Sequence, residues 1–198
     1  LEWVYISDSV TDVCMRAFED CKSLEYIRLP QKIKRIKEGT FRGCSRLKQI
    51  EIPERVEFIG DWAFTDTAIE SIFIPLNVKK IYKTPFGGCR SLEEIIVDAR
   101  NESYVSVDGV LYTKDMKTLV CYPMAKEDEI YTVPKGVENL QHGCFRGNEH
   151  LKILRFPDTL KKIRDYEFSA RKTRLLVRVG WRTRLPENEC KNVRFIVL

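Results

Sequence analysis

One spacing recurs through the sequence and constrains the fold more than any other feature. In FRGCSRLKQIEIP, at 41–53, residues Phe, Cys, Leu, Ile, Ile and Pro stand at offsets 0, 3, 6, 9, 11 and 12. Related segments begin at Phe18, Phe64, Phe86 and Phe145. Neither a helix nor a strand has this period. A pattern that returns at a nearly constant distance along the chain indicates an internal repeat.

Six units align on the residue that begins each of them. These first residues are Ser7, Pro30, Pro53, Pro75, Pro134 and Pro157. A Val, Ile or Leu stands three and six residues later, and a Phe stands eleven residues later in every unit. The six Phe residues are Phe18, Phe41, Phe64, Phe86, Phe145 and Phe168.

The spacing within each unit predicts one short strand followed by a compact return. In LKQIEIP, at 47–53, Ile50 and Ile52 alternate with polar residues, as in a strand that is buried on one face. Pro53 ends the strand because its nitrogen has no hydrogen to donate to a ladder. A single unit cannot bury its own Leu, Ile and Phe side chains, so neighbouring units must stack into continuous apolar columns.

The predicted fold is therefore a repeat solenoid of stacked short parallel β-strands, connected by turns or short helical turns, and mostly β with little helix. The whole chain, 1–198, is predicted as one solenoid of about seven rungs. Parallel strands are expected near 24–29, 47–52, 69–74, 92–97, 130–133, 151–156 and 175–179.

The repeat P-x-x-V-x-x-I-x-x-x-x-F-x-x-C-x-x-L-x-x-I-x-I resembles the BspA-like (Treponema pallidum-type) leucine-rich repeats, over 7–97 and 130–179. The stretch YVSVDGVLYTKDMKTLVCYP resembles the hairpin insert of that family, placed here at about 100–129, with two strands around TKDMK. The degenerate segment at about 175–198 is interpreted as a C-terminal cap, because terminal repeats are usually atypical.

The residue types that carry catalysis or bind metals form no recognisable motif. Cys21, Cys44 and Cys89 share one repeat position, so we interpret them as small buried side chains and expect all seven Cys to be unpaired. The only histidines, His142 and His150, lack both a zinc-ligand spacing and a nucleophile motif. We expect no enzymatic activity, no bound metal and no cofactor.

Composition excludes further classes of function. The net charge of +5 is distributed in mixed runs such as QKIKRIKEG, which favours solvated faces over nucleic-acid binding. No stretch is apolar enough for a transmembrane segment, and no signal-peptide pattern begins the chain. We expect a monomer that does not bind nucleic acid.

The outward positions of the predicted strands are the candidate binding surface, since these side chains are not needed for packing. One column reads Tyr26, Gln49, Ser71, Glu94, Ile130, Ile153, Leu176, and the next reads Arg28, Glu51, Phe73, Ile96, Thr132, Arg155, Arg178. An exposed apolar patch with a charged rim indicates a protein-interaction site. The alternative is that the hairpin insert or a flanking domain covers the patch. The candidate residues are Tyr26, Arg28, Phe73, Ile96, Ile130, Ile153, Arg155 and Arg178.

Three functions are consistent with a repeat solenoid of this kind. The resemblance implies a cell-surface or secreted protein of anaerobic bacteria that binds proteins, including host extracellular proteins, as an adhesin. The alternative is a structural spacer that presents other domains of a larger surface protein. An enzyme is the third and least supported reading, because the chain carries no motif for it.

Overall fold

The computed structural model describes residues 2–169, 172–187 and 190–198, apart from the side chain of Asp165. The chain forms a β-solenoid of about eight turns, and its described residues contain one short 3-10 helix, Asp165–Phe168. The predicted fold class is confirmed. The described residues contain no helix with the length and apolar character of a membrane span.

The turns of the solenoid contribute their strands to two layers. The first layer contains β1 (Trp3–Tyr5), β2 (Tyr26–Arg28), β5 (Ser71–Ile74), β7 (Glu94–Val97), β11 (Ile130–Thr132), β13 (Ile153–Arg155), β14 (Leu175–Val179) and β15 (Val193–Val197). The second contains β3 (Arg35–Ile36), β4 (Phe58–Ile59), β6 (Lys80–Ile81), β10 (Thr118–Cys121) and β12 (Asn139–Leu140). β8 (Tyr104–Val107) and β9 (Val110–Thr113) belong to the insert. All pairs between turns are parallel.

The register is the one that the repeat predicts, because equivalent residues of successive units pair. Ile72 pairs with Ile95, and Leu154 pairs with Val177, with all four side chains buried between the layers. One predicted strand is absent: no strand is assigned to 47–52. Ile50 and Ile52 are nevertheless buried, so side-chain packing rather than a hydrogen-bonded ladder places this segment.

The Phe column is the axis of the core. The rings of Phe18, Phe41, Phe64 and Phe86 stack in sequence, with centroids 5.6–5.7 Å apart and planes within 13° of parallel. The Phe41 amide donates to the Ala63 carbonyl at 2.8 Å, and the Phe64 amide donates to the Pro85 carbonyl at 2.9 Å. In both cases the acceptor is the residue before the next Phe. Burial of the Phe side chains, which the alignment predicts for Phe41, Phe64 and Phe86, is confirmed.

The hairpin around TKDMK is also confirmed, since β9 and β10 pair antiparallel. β8 was not predicted; it pairs antiparallel with β9, and Asp108 and Gly109 form the turn between them, both with positive φ. β10 then pairs parallel with β12, and the Tyr122 ring packs 5.3 Å from the Phe145 ring. The insert therefore supplies one solenoid turn in which a Tyr takes the place of the Phe.

The core consists of two apolar clusters that meet at the insert. The first extends from Val13 to Ile95 and includes Tyr104, Leu111 and Val120. The second begins with Val110 and Tyr112 and continues to Val179. Because neighbouring residues of β9 point into different clusters, this strand is the partition between them. At the C-terminal end, β15 pairs with β14 over five residues, so this segment adds a further parallel strand.

Candidate interaction surface

Outward side chains of the first layer lie in register, as the repeat predicts. Phe73 pairs with Ile96 across β5 and β7, Ile130 pairs with Ile153 across β11 and β13, and Arg155 pairs with Arg178 across β13 and β14. Strand pairs place such side chains side by side on the same face of a sheet. Within each sheet, the outward side chains that the repeat predicts to be neighbours therefore do lie side by side.

Several of these apolar side chains are open to solvent. The exposed fraction is 44% for Tyr26, 44% for Phe73, 42% for Ile96 and 50% for Ile130, whereas Ile153 is half-buried. Their inward neighbours, such as Ile72 and Ile95, are fully buried, so the outward residues are not required to fill the core. Neither the hairpin nor any other described segment covers these four side chains.

The predicted contiguous patch is interrupted, however, between Ile96 and Ile130, which belong to different columns. The tip of the β8–β9 hairpin occupies the edge of β7, where the next parallel strand would otherwise pair. The Ile95 amide donates to the carbonyl of Gly109 at 2.9 Å, and the Ser106 hydroxyl donates to the Ile95 carbonyl. The prediction of one contiguous patch is wrong in this respect: Phe73 with Ile96 forms one apolar patch, and Ile130 with Ile153 forms another.

Arg28 is held by its own neighbours. Its guanidinium makes two hydrogen bonds to the Asp8 carboxylate, at 2.9 and 3.2 Å, and lies 4.8 Å from the centre of the Tyr5 ring. The Arg28 hydrogen bond, followed by one from the Gln31 amide, lowers the pKa of Asp8. Arg28 is therefore fixed in orientation beside Tyr26 rather than extended into solvent.

The two arginines at the other end of the surface differ from each other. Arg155 is exposed on β13, as expected for a residue at the rim. Arg178 is half-buried on β14, and its Nε has no hydrogen-bond partner although it is inaccessible to water. The role of both arginines as rim cations stays a prediction, and β15, which pairs beside Arg178, limits the access of Arg178 to solvent.

The structure adds two aromatic residues that the sequence analysis did not select. Trp3 on β1 pairs with Tyr26, with ring centroids 5.3 Å apart, and Tyr5 pairs with Arg28. Trp3 and Tyr5 are 67% and 70% exposed. Extending the repeat alignment one unit towards the N-terminus would have found them, because Trp3 stands 23 residues before Tyr26.

A cleft of about 470 Å³ opens beside this aromatic end of the surface. Its walls include Trp3, Tyr26, Arg46 and Gln49. The cleft lies beside residues 47–52, which form no paired strand in the first layer. The surface is therefore concave here rather than flat.

A second group of polar residues lies on the return segments, around Glu167. The Glu167 carboxylate is fully buried, accepts the Gly143 amide at 2.8 Å and lies 3.9 Å from the Cys144 thiol. Burial raises the pKa of Glu167 to about 8, and burial followed by the nearby Glu167 raises that of Cys144. A thiol is a strong nucleophile when its pKa is lowered, so this arrangement opposes thiolate chemistry.

Both histidines make local contacts within the fold. The His142 ring stacks on the Tyr166 ring at 3.7 Å, and burial together with Lys83 lowers the pKa of His142. The His150 amide donates to the Asn148 side chain, which closes a turn. Among the described residues, no group of three or more His, Cys, Asp or Glu side chains is arranged to hold a metal ion.

The repeated Cys position is buried in two of its three cases. Cys44 and Cys89 donate from their thiols to the carbonyls of Phe18 and Phe64 at 3.0 Å, and burial raises both pKa values to about 12. Cys21 is exposed, contrary to the prediction. Cys14 is exposed as well.

Three solved structures share this fold. A leucine-rich repeat protein from Eubacterium ventriosum superimposes with a TM-score of 0.79 at 20% identity, over 100% of this chain and 60% of that protein. The pneumococcal vaccine antigen PcpA gives 0.67 at 19% identity, over 99% and 74% of the two chains. A leucine-rich cell surface protein from Faecalibacterium prausnitzii gives 0.64 at 19% identity, over 97% and 80%.

The chain thus spans 60% of the length of the Eubacterium ventriosum protein. A search of curated protein sequences found no match. The family model for the BspA type leucine rich repeat region matches six copies, over residues 1–106 and 125–176. These residues make up most of the chain and include the repeats built around the Phe column. The chain therefore belongs to the BspA-type leucine-rich repeat family.

Proposed function

We propose that this chain is a non-enzymatic protein-binding domain of a cell-surface or secreted bacterial protein, and that it binds through the outward face of the first strand layer. The observation that carries the proposal is the exposure of Phe73, Ile96 and Ile130, at 42–50%, on strands whose inward residues already complete the core. Large apolar side chains clustered on a sheet face are typical of interfaces.

The two apolar patches suggest a partner that contacts both sides of the hairpin tip. Phe73 with Ile96 would form one contact, Ile130 with Ile153 the other, and Asp108 at the exposed tip lies between them. Buried aromatic and aliphatic centres dominate the affinity of most interfaces, whereas rim charges act mainly on association rate. Tyr26, with Trp3 beside it, supplies a further aromatic anchor.

The family and two structural relatives support a location at the cell surface, where we propose that the chain acts as an adhesin. One of them is called a cell surface protein and the other a vaccine antigen. Both share less than a quarter of their residues with this chain, so they support the fold and only suggest the location.

The test is binding of single variants to purified host extracellular proteins immobilised as a panel. We expect Phe73→Ala and Ile96→Ala to weaken binding of any partner more than Arg178→Ala does, whereas Arg155→Ala should mainly change the association rate and the salt dependence. Tyr82→Ala is the matched control, since Tyr82 is a 39% exposed aromatic on the second layer. All variants should retain the parent's thermal unfolding midpoint.

Two outcomes would redirect the proposal. Equal affinity of the parent and Phe73→Asp would move the site to the insert, Tyr104–Tyr122. Absence of binding to the whole panel by a folded parent would favour the structural spacer.

A further inference from the structure

The outward side of the second layer carries basic residues at a position that the protein-binding surface does not use. Arg35, Phe58 and Lys80 pair in register across β3, β4 and β6, and Lys162 pairs with Arg184 at the other end. We call Arg35, Lys80, Lys162 and Arg184 the basic column. All four side chains are exposed.

The two ends of the basic column belong to one surface despite the insert between them. The side-chain amide of Gln141 donates to the Tyr82 carbonyl at 2.7 Å, which ties the turn of β12 to the turn of β6. Beyond β12, the Lys161 amide donates to the Glu138 carbonyl at 3.0 Å. Thr118 and Asn139 occupy the corresponding position on β10 and β12, so the column has two cations at each end and polar residues between them.

Acidic residues beside the column are already neutralised by other lysines. Glu57 lies between Lys79, at 2.9 Å, and Lys34, at 3.8 Å. Glu138 is likewise paired with both Lys161 and Lys117. The Lys79 hydrogen bond lowers the pKa of Glu57, and the Lys161 hydrogen bond lowers that of Glu138.

No close ion pair compensates the basic column, although the charge of Arg35 also lowers the pKa of Glu57, after the Lys79 hydrogen bond and the charges of Lys79 and Lys34. In the part of the chain that the structure describes, no carboxylate lies within 4.0 Å of the charged groups of Arg35, Lys80, Lys162 or Arg184. Its charge is therefore available to a ligand, and the field of several aligned cations attracts a linear polyanion more strongly than a single anion.

A cleft of about 540 Å³ lies at the N-terminal end of the column. Arg35, Lys37, Phe58 and Tyr82 contribute to its walls. Gly60 also lines the cleft, and a Cβ there would lie 2.6 Å from the Glu38 amide nitrogen. The two carboxylates at the cleft are engaged: Glu38 pairs with Arg16 at 2.9 Å, and Asp61 accepts the Lys83 amide at 2.6 Å.

A cation or another ring lies over one side of each aromatic ring beside the column, although Tyr82 stays 39% exposed. The Arg35 guanidinium lies 4.8 Å from the centre of the Phe58 ring, the Lys80 ammonium lies 4.7 Å from that of Tyr82, and Tyr166 stacks on His142. Proteins that bind single-stranded nucleic acid use open aromatic rings on which bases stack. Because Arg35 and Lys80 already lie over the rings of Phe58 and Tyr82, the face favours a polyanion that lacks bases.

We propose that the basic column binds a linear sulfated polysaccharide. Sulfate groups stay ionised at every physiological pH, and their repeat along a glycan chain complements cations at both ends of the column. Binding of this kind is electrostatic, so it weakens steeply as salt rises. It uses a face other than the proposed protein-binding surface, so neither site excludes the other.

The probe is heparin, with neutral dextran as the uncharged control and single-stranded DNA as the competing polyanion. We expect the parent to bind heparin at about 50 mM salt and to lose at least tenfold in affinity by about 200 mM. Dextran should not bind. Failure of the folded parent to bind heparin at the lower salt, or DNA binding tenfold tighter than heparin at equal charge, would overturn the proposal.

The site is tested by removing three cations at once. The variant Arg35→Gln, Lys80→Gln, Lys162→Gln should bind heparin at least tenfold more weakly and show a smaller salt dependence. The control variant Lys22→Gln, Arg90→Gln, Lys172→Gln loses the same charge from exposed positions in the turns that follow Phe18, Phe86 and Phe168. It should lose less than threefold. Equal losses in both variants would show that net charge, not the basic column, determines binding.

Discussion

Glu167 is a carboxyl group that the fold removes from water. Its Oε1 has no hydrogen-bond partner, and burial raises its pKa from an ordinary value of 4.5 to about 8. The Gly143 amide and Arg164, 3.9 Å away, act in the opposite direction but do not offset the burial. The folded protein therefore holds a proton that the unfolded chain releases near pH 4.5.

Stability should consequently decrease as pH rises through this interval. The contribution of Glu167 is fully present below about pH 4.5 and is lost progressively up to about pH 8, at roughly 1.4 kcal/mol per pH unit for one proton. We expect Glu167→Gln to flatten that slope in denaturant unfolding followed between pH 5 and pH 8, because an amide does not titrate. Parallel slopes for parent and variant would show that Glu167 is ionised in the folded protein.

Loss of one ring from the Phe column should lower the stability of the protein strongly. Phe64→Ala removes a fully buried side chain from between Phe41 and Phe86 and should lower the free energy of unfolding by about 3–5 kcal/mol. The matched control is Phe58→Ala, whose ring is only half-buried and points outward. We expect the control to cost much less. A loss below about 1 kcal/mol for Phe64→Ala would contradict the packing of this column.

The thiols should react at two distinct rates. Cys14 and Cys21 are exposed and should be labelled quickly in the folded protein, whereas Cys44, Cys89 and Cys144 should be labelled only after unfolding, since burial raises their pKa values. Mass spectrometry of the labelled, unreduced protein tests both this order and the expectation that all seven Cys are unpaired. A Cys21–Cys44 disulfide would refute it.

At the scale of elements, the hairpin tip depends on Gly109. Its φ is +77°, and a Cβ there would lie 2.9 Å from Cβ of Glu94 on β7. Gly136 also has a positive φ, +95°, but a Cβ there would have no neighbour within 4 Å. A comparison of the single variants Gly109→Ala and Gly136→Ala therefore separates the cost of backbone strain from the cost of the steric clash.

We expect Gly136→Ala to cost about 1 kcal/mol, for the strain of a positive φ. Gly109→Ala should cost about 1–3 kcal/mol more, because β7 and the hairpin must move apart. Thermal or denaturant unfolding of the two variants measures the difference. Equal losses would mean that the hairpin tip does not press on β7.

The insert shows how much a single element can depend on context. The strands on both sides of TKDMK follow from their alternating apolar residues and were predicted. β8 and the return of the chain through Tyr122 were not, because that turn is shorter than the repeat and contains Tyr where the other turns contain Phe. Asn101 illustrates the same limit. It lies in an apparent glycosylation sequon, yet it is buried and its amide donates to the carbonyls of Pro75 and Val78.

For the whole molecule, stability should be transmitted from one turn to the next. In a linear stack, each turn contacts only its neighbours, so a defect spreads through adjacent turns. The two apolar clusters meet at β9, so damage to the first cluster should affect the second one less. Hydrogen exchange of Phe64→Ala should therefore increase at amides before the insert more than at amides of β13 and β14. Uniform protection loss would indicate one cooperative unit.

The sequence alone was sufficient for the repeat, the solenoid, the parallel register and the inward side of the strands. These properties are local and periodic: Phe41, Phe64 and Phe86 must be buried in any stack that aligns the units, and Ile72 and Ile95 alternate with outward residues on their own strands. The outward candidates followed from the same alternation, which is why Phe73 and Ile96 are exposed side by side.

Only the tertiary structure decided which residues contact each other at the insert and on the outward faces of the two strand layers. The hairpin tip divides the apolar surface because its backbone, rather than the next strand, bonds to Ile95. Arg178 is half-buried because β15 adds a strand beside it. Such contacts depend on which segments meet in space. A sequence repeat predicts the contacts between regular units, but it does not predict the contacts of a segment that departs from the repeat.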